Sequence, residues 1–384
     1  MYQWTEAKNI LCIRLDAMGD LLMTTPAIQS LKEALPGRKI TLLTSEQGGQ
    51  IASSIDLFDK VITYSAPWLK ASGHRTDPKV DFEMIERLSK EQFEGVVIFT
   101  VYSQNPLPSA LMCFLAGIPL RASFCRENPY SLLTNWVMEE EPDKLLRHEV
   151  RRHLDLVKHL GASGENLKLS LNVDEESVSS LSRKLEGVCD LKLSDWVVIH
   201  PGSTASSRRY STSGFAEVAD LIIENTNRKI LFTGSLQEKA IVQEIQNKMN
   251  YSSEDLSGLL SLKEMIALLF KSSLLISNNS GPIHMAAALG TPMVDLYALT
   301  NPQHTPWMVS NETLFYDVSC RFCYKSICPQ GTNACLNNIT PLMIYESAQR
   351  LLSSGIGAAR YDEKAILPLQ FPLSPRKEEN HDYT

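Results

Sequence analysis

The stretch at residues 274–292, LLISNNSGPIHMAAALGTP, constrains the fold more than any other part of the chain. Leu274, Leu275 and Ile276 make a short unbroken apolar run, the pattern of a strand covered on both faces. Asn279 and Ser280 interrupt it. Ser280 then offers a capping hydroxyl and Pro282 stands where a starting helix tolerates proline. A buried strand that feeds at once into a helix is half of a parallel βαβ unit. The first-turn amides of such a helix have no internal partner and carry the positive end of its dipole. With Gly281 leaving the backbone approachable, the segment predicts an anion site, for which phosphate or diphosphate is the common biological occupant. The alternative is an ordinary capped helix of an α/β domain.

The same rhythm runs through the whole chain. Strand patterns at 10–15, 40–44, 61–64 and 96–100 alternate with helical stretches such as 81–90. They recur at 196–200, 229–233, 274–277 and 293–297, separated by helical spacing at 215–224, 238–249 and 262–271. Alternation of this kind predicts right-handed crossovers and parallel sheets. A chain of 384 residues exceeds what one core usually covers. The expectation is therefore an α/β protein of two doubly wound, Rossmann-like domains facing each other across a cleft. They are expected at 1–170 and 190–355, with the polar segment 164–193 as the connection. The Pro-rich, charged tail 361–384 is expected to be loosely packed or disordered.

A net charge of -7 disfavours nucleic acid as a partner, which normally requires a basic face. The polar start MYQWTEAKN does not read as a signal peptide. The longest apolar run, 110–120, is too short to span a bilayer and contains Gly117 and Pro119. These features predict a cytoplasmic protein whose membrane contact, if any, is peripheral.

The first strand leads into DAMGDLLMTTPAIQSL at 16–31. Gly19 is read as the residue that allows a tight turn after the strand, with Asp20 at the mouth of the next helix. A carboxylate at the carboxyl edge of a first strand faces the cleft, where it can accept a proton. Capping a helix is the other use of an aspartate here. On position alone, Asp16 competes with Asp20.

Taken together, these motifs resemble glycosyltransferase family 9, the bacterial ADP-heptose:lipopolysaccharide heptosyltransferases. The resemblance is carried by Met18-Gly19-Asp20 with Thr24-Thr25-Pro26-Ala27, by His200-Pro201-Gly202-Ser203-Thr204 with Arg208-Arg209-Tyr210, and by Asn279 through Pro292. Their order holds from about residue 9 to about residue 352. It implies the GT-B fold and an inverting transfer from a nucleotide sugar, ADP-heptose in this family, to a lipopolysaccharide core or related glycan. That acceptor implies a place at the inner face of the cytoplasmic membrane.

Asp20 matches the family's base. Ser280 and Gly281 match its amide cradle, and Ser203 and Thr204 supply donors from the opposing loop. Arg208 stands in the place of a phosphate-binding lysine, and its fork can grip two oxygens. His284 matches a histidine near the diphosphate, although a lone histidine there is equally a structural one. Glu238 falls where the family often contacts the nucleoside, with a solvent-facing helix residue as the alternative. Asn279 replaces the usual acidic residue, and Tyr210-Ser211 replaces the common Trp-Pro. No cofactor is implied for catalysis. A nucleotide-sugar epimerase or hydrolase, or a silent nucleotide-sugar binding protein, remains open on the same scaffold.

Four of the eight cysteines lie within sixteen residues, at Cys320, Cys323, Cys328 and Cys335. Disulfides are disfavoured in a cytoplasmic chain, and a Cys-x2-Cys step within four thiols suggests a structural zinc or iron. Four reduced thiols in a compact loop is the alternative. Cys12, Cys113, Cys125 and Cys189 are scattered and read as core or surface residues.

Overall fold

Parallel strands joined by helices make up both halves of the chain, in a computed structural model that describes residues 3–69, 73, 75–188 and 196–353. The tail 361–384 and Cys189 lie outside the described residues. The first half contains β1 (Asn9–Arg14), α1 (Met18–Glu33), β2 (Lys39–Thr44), α2 (Glu46–Ala52), β3 (Lys60–Thr63), α3 (Lys79–Lys90), β4 (Gly95–Ile98), α4 (Leu107–Leu115), β5 (Leu120–Cys125) and β6 (Asn135–Met138). Helices α5 (Glu149–Lys158) and α6 (Glu175–Lys184) follow. The second half contains β7 (Trp196–His200), α7 (Thr212–Thr226), β8 (Lys229–Phe232), α8 (Lys239–Gln246), β9 (Glu254–Asp255), α9 (Leu262–Lys271), β10 (Leu274–Asn278), α10 (Gly281–Leu289), β11 (Met293–Leu296) and β12 (Asn311–Leu314). Short α11 (Ala334–Asn337) and α12 (Pro341–Ser353) close it.

The strand orders are β3-β2-β1-β4-β5-β6 and β12-β11-β10-β7-β8-β9. Every ladder is parallel. Counted from its own first strand, the second sheet repeats the order of the first. Each order reverses beside that first strand, between β1 and β4 and between β7 and β10. The crevice at the carboxyl ends of the strands there is where doubly wound sheets take ligands.

Four strands lie outside the expected pattern, as do helices α2, α4, α5 and α6. β6 is a half-exposed edge, β9 has two residues, and β12 is partly buried along its length. β5, LRASFC, is buried throughout, but its polar letters hide an interior strand. α6 falls inside the segment read as a connection. Asp174 accepts from the Ser177 amide at its start, with acids in its first turn and Arg183 and Lys184 in its last.

Helix α1 carries Pro26 in its interior. Proline cannot donate to the Leu22 carbonyl one turn back. The Thr25 hydroxyl donates to that carbonyl instead, at 2.7 Å. The buried Thr-Pro pair therefore keeps the helix satisfied without solvent. The largest apolar cluster is continuous between the halves: it includes Leu21, Met23 and Leu31 of α1 together with Ile283, Met285 and Met293.

Helix α5 links the halves a second time. The Glu149 amide donates to the Gln303 carbonyl at 3.1 Å, and His148 Nε2 lies 2.9 Å from the Thr305 carbonyl. In its next turn Arg152, fully buried, meets Glu139 at 2.5 Å and Glu141 at 3.1 Å. Removing one member of a buried ion cluster leaves the others uncompensated. Arg152→Met is expected to cost about 3–5 kcal/mol of folding stability, read by urea unfolding. A loss below about 1 kcal/mol would mark the cluster as solvated like a surface pair.

Candidate active site between the two sheets

A cavity of about 450 Å³ opens where the two crevices face each other. Its wall contains Asp20, Ser203, Thr204, Arg208, Glu238, Asn279, Ser280, Gly281 and His284, so the structure brings together every residue expected to act on the donor or the acceptor. Asp16 is not part of that wall. One of its oxygens accepts from Gln104 Nε2 at 2.6 Å, and the other pairs with Arg14 Nε at 3.1 Å. Burial pushes its carboxyl above the ordinary value, against the pull of Arg14.

Asp20 sits three residues into the start of α1 rather than at its cap position. Its Oδ2 accepts from the Ala17 amide at 3.1 Å, and its Oδ1 lies 3.3 Å from Arg14 Nη2. The capping role and a place on the cavity wall are thus met by the same side chain. Gly19 differs from expectation, because it lies inside α1 and makes no turn. What requires glycine is a close approach: a Cβ there would stand 2.6 Å from His284 Cδ2.

On the opposite wall, Ser280 occupies the cap position of α10, but its hydroxyl makes no cap bond. Ser280 Oγ, His284 Nδ1 and Arg208 Nε are all buried without a hydrogen-bond partner. Such groups cost free energy unless a ligand meets them. A Cβ at Gly281 would meet only Met285 Cε, at 3.9 Å, so nothing in the protein crowds the helix start. Burial first, then His304, His148 and Arg208 as positive neighbours, push His284 down to about 3. At neutral pH this imidazole is an uncharged donor or acceptor.

The loop after β7 is held from below. Asn278 donates to the Pro201 carbonyl at 2.7 Å and accepts from the Tyr210 amide at 3.0 Å. From outside, Ser207 Oγ donates to the Lys325 carbonyl at 2.8 Å, and Asn333 Nδ2 to the Ser206 carbonyl at 2.9 Å. Tyr210, where a tryptophan is common, packs on Phe215 and donates to the Ile339 carbonyl at 2.8 Å. Glu238 accepts from the Ser235 amide and hydroxyl at 2.8 and 2.9 Å. Its carboxylate lies so close over Gly202 that a Cβ there would come within 2.1 Å of Oε1.

Three residues of the site are assigned no role by the sequence. Arg14 is a basic letter inside an apolar strand, His304 belongs to a loop without a motif, and His200 reads only as the end of a strand and the first residue of the Pro-Gly motif. Both histidines line the cavity. Cys320, Cys323, Cys328 and Cys335 lie half-buried in the loop that supports Ser206 and Ser207, none in a disulfide. Among the described residues no three His, Cys, Asp or Glu side chains are gathered so as to hold a metal. The expected four-thiolate centre is therefore not assembled by the thiols as they stand.

A family model described as glycosyltransferase family 9 (heptosyltransferase) matches residues 82–333. The chain belongs to this family. It is 24% identical over 307 residues to the lipopolysaccharide core heptosyltransferase OpsX of Haemophilus influenzae, covering 79% of this chain and 82% of the relative. The crystal structure of a family 9 glycosyltransferase from Veillonella parvula superposes with a TM-score of 0.73 at 21% identity, over 91% of this chain and 98% of that one. The structure of ADP-heptose lipopolysaccharide heptosyltransferase II from Escherichia coli gives 0.71 at 20% identity, over 90% and 99%. The fold is GT-B, and the protein is a glycosyltransferase. No helix among the described residues is long and apolar enough to cross a membrane.

The contact between Gly19 and His284 is the tightest point of the wall. Gly19→Ala is expected to force α1 and α10 apart and cost about 1–3 kcal/mol as overpacking, with a lower melting temperature and weaker nucleoside diphosphate binding. A variant that keeps both values would show that His284 swings aside freely.

Proposed function

We propose that the protein transfers a heptose from ADP-heptose to the core of a lipopolysaccharide or a related glycan, with inversion at the anomeric carbon. One observation carries the reading: the Asp20 carboxylate shares a cavity with three buried polar atoms, on Ser280, His284 and Arg208, that lack partners. A diphosphate supplies the acceptors that these groups need. The family's relatives are named as heptosyltransferases, which favours heptose as the sugar and ADP as its carrier. A glycolipid acceptor makes peripheral contact with the inner face of the cytoplasmic membrane part of the same reading.

The chemistry then divides between the walls. Asp20 takes the proton of the acceptor hydroxyl as its oxygen attacks the anomeric carbon. The bond from that carbon to the diphosphate oxygen breaks, and its electron pair leaves with the nucleoside diphosphate. Negative charge grows on the phosphates in this step. In this reading the amides of Ser280 and Gly281, the Arg208 guanidinium and the Ser203 and Thr204 loop stabilise it. Glu238 is the acidic group nearest Gly202 and serves the nucleoside.

Asp20→Asn is expected to lower transfer by about two to four orders of magnitude, the scale of a lost general base, while ADP affinity stays within about twofold. Asp16→Asn should do far less. Arg208→Ala should weaken ADP binding about ten- to a hundredfold, the worth of one charge-assisted contact. Calorimetry with ADP and a coupled transfer assay separate the three. An active Asp20→Asn beside a crippled Asp16→Asn would overturn the choice of base.

A structural zinc or iron at the four cysteines is a second, smaller proposal. It rests on the Cys-x2-Cys step and on four free, half-buried thiols within sixteen residues. The thiols would have to draw together around the ion, and no catalytic step passes through it. Elemental analysis should then find about one metal per chain, lost in Cys323→Ser together with several degrees of melting temperature. Metal-free protein with four reactive thiols would end this proposal.

A further inference from the structure

The last residue of β1, Arg14, is an arginine with no exposed surface. The transfer reaction as described gives it no part. Its guanidinium meets three carboxylates: Nε lies 3.1 Å from Asp16, Nη2 3.3 Å from Asp20, and Nη1 3.2 Å from Glu149. Behind it, His153 Nε2 lies 3.0 Å from the same Glu149 oxygen and 3.2 Å from Nη1. The His153 ring is itself packed edge-on against Phe99. Glu149 and His153 are fully buried, one turn apart on α5.

A buried arginine that served the fold alone would be neutralised by Glu149, which is as buried as it is. Here one arm of the fork is directed outward instead, to a carboxylate on the cavity wall. Asp20 is engaged at both oxygens, Oδ2 by the Ala17 amide hydrogen bond and Oδ1 by the Arg14 ion pair, which favours one orientation of its plane. The planar fork is suited to this because it is rigid and always charged. A base fixed in this way meets the acceptor proton without first being reoriented.

We propose that Arg14, anchored from behind by Glu149 and His153, is the positioning residue that sets the Asp20 carboxylate for proton transfer. The proposal rests on Asp20 being the base. Arg14 touches no substrate and acts only through that carboxylate. Because α5 is also bonded to the 303–305 loop of the other half, the anchor joins the base to the wall that holds the donor.

The test compares Arg14→Lys and Glu149→Gln in wild-type and Asp20→Asn backgrounds. Lysine keeps the buried charge, so the fold keeps its counter-ion, but a point charge cannot hold three carboxylates in register. In the wild-type background Arg14→Lys should lower kcat about ten- to a hundredfold. KM for the nucleotide sugar and the affinity for ADP should stay within about twofold. Glu149→Gln should shift kcat in the same direction by less. With Asp20→Asn already present, either change should alter the residual rate by less than about twofold, because residues acting as one unit are not additive.

Losses that multiply in the double variants, or that appear equally in ADP affinity, would assign Arg14 to the scaffold and overturn the proposal. An unchanged kcat in Arg14→Lys would do the same. Failure of the underlying reading looks different: Asp20→Asn alone would then transfer at the wild-type rate.

Discussion

The packing of α1 against α10 is the contact on which the rest of the site depends. Both helices begin at the carboxyl edge of a central strand, one from each sheet, and their first turns meet where Gly19 faces His284. Two sheets with the same strand order, placed face to face, bring their switch points into one space. One helix start presents a carboxylate and the other presents the backbone at Ser280 and Gly281. A reaction that needs a proton acceptor at one end and stabilisation of an anion at the other finds both within one cavity. Any side chain larger than hydrogen at position 19 would enter the volume of the imidazole, so the geometry depends on that missing Cβ.

Charge in this interior follows one rule at two places. Glu149 is buried where Arg14 reaches it, and Glu139 and Glu141 where Arg152 does. The histidines near the donor wall are held neutral: burial pushes His304 down to about 4 and His284 to about 3. Neutral imidazoles leave Arg208 as the positive side chain on the cavity wall. The positive ends of helix dipoles add to it without a further buried charge that would need compensation. Ser280, His284 and Arg208 each bring an unpartnered buried atom to the cavity wall, a cost that the diphosphate of the proposed donor would remove.

Much of this was legible in the sequence, and the reasons differ by element. Central strands such as β1, β7 and β10 are covered on both faces, so they appear as unbroken apolar runs that no other element imitates at that length. The site residues were legible because they follow those strands directly. Edge strands were not, because half-exposed β6 and β12 have no one-sided pattern to reveal them and β9 is too short for any period. Arg14 was hidden by the same logic that revealed its neighbours: a charged letter in a buried strand looks like an interruption unless Glu149, 135 residues on, is known to meet it. The role of Gly19 was misread for a related reason. A glycine after a strand usually signals a turn, whereas here the partner that demands it lies 265 residues away in the chain.

Asn279 shows how a departure from family pattern acquires a physical reason once its neighbours are known. Its amide donates to Asp295 Oδ2 and to the His304 carbonyl, each at 3.0 Å. Asp295 lies fully buried on β11, where burial pushes its carboxyl well above the ordinary value. An aspartate at 279 would set a second carboxylate against it, with no cation among the contacts described there to relieve either. The amide instead satisfies one oxygen of Asp295 and ties the 304 loop to the start of α10, which brings His304 to the cavity wall. The acidic group stands instead on the neighbouring strand, β11. What the cavity meets at 279 is a neutral side chain whose two amide hydrogens are already engaged, so only its oxygen is left to accept from the donor of the proposed reaction.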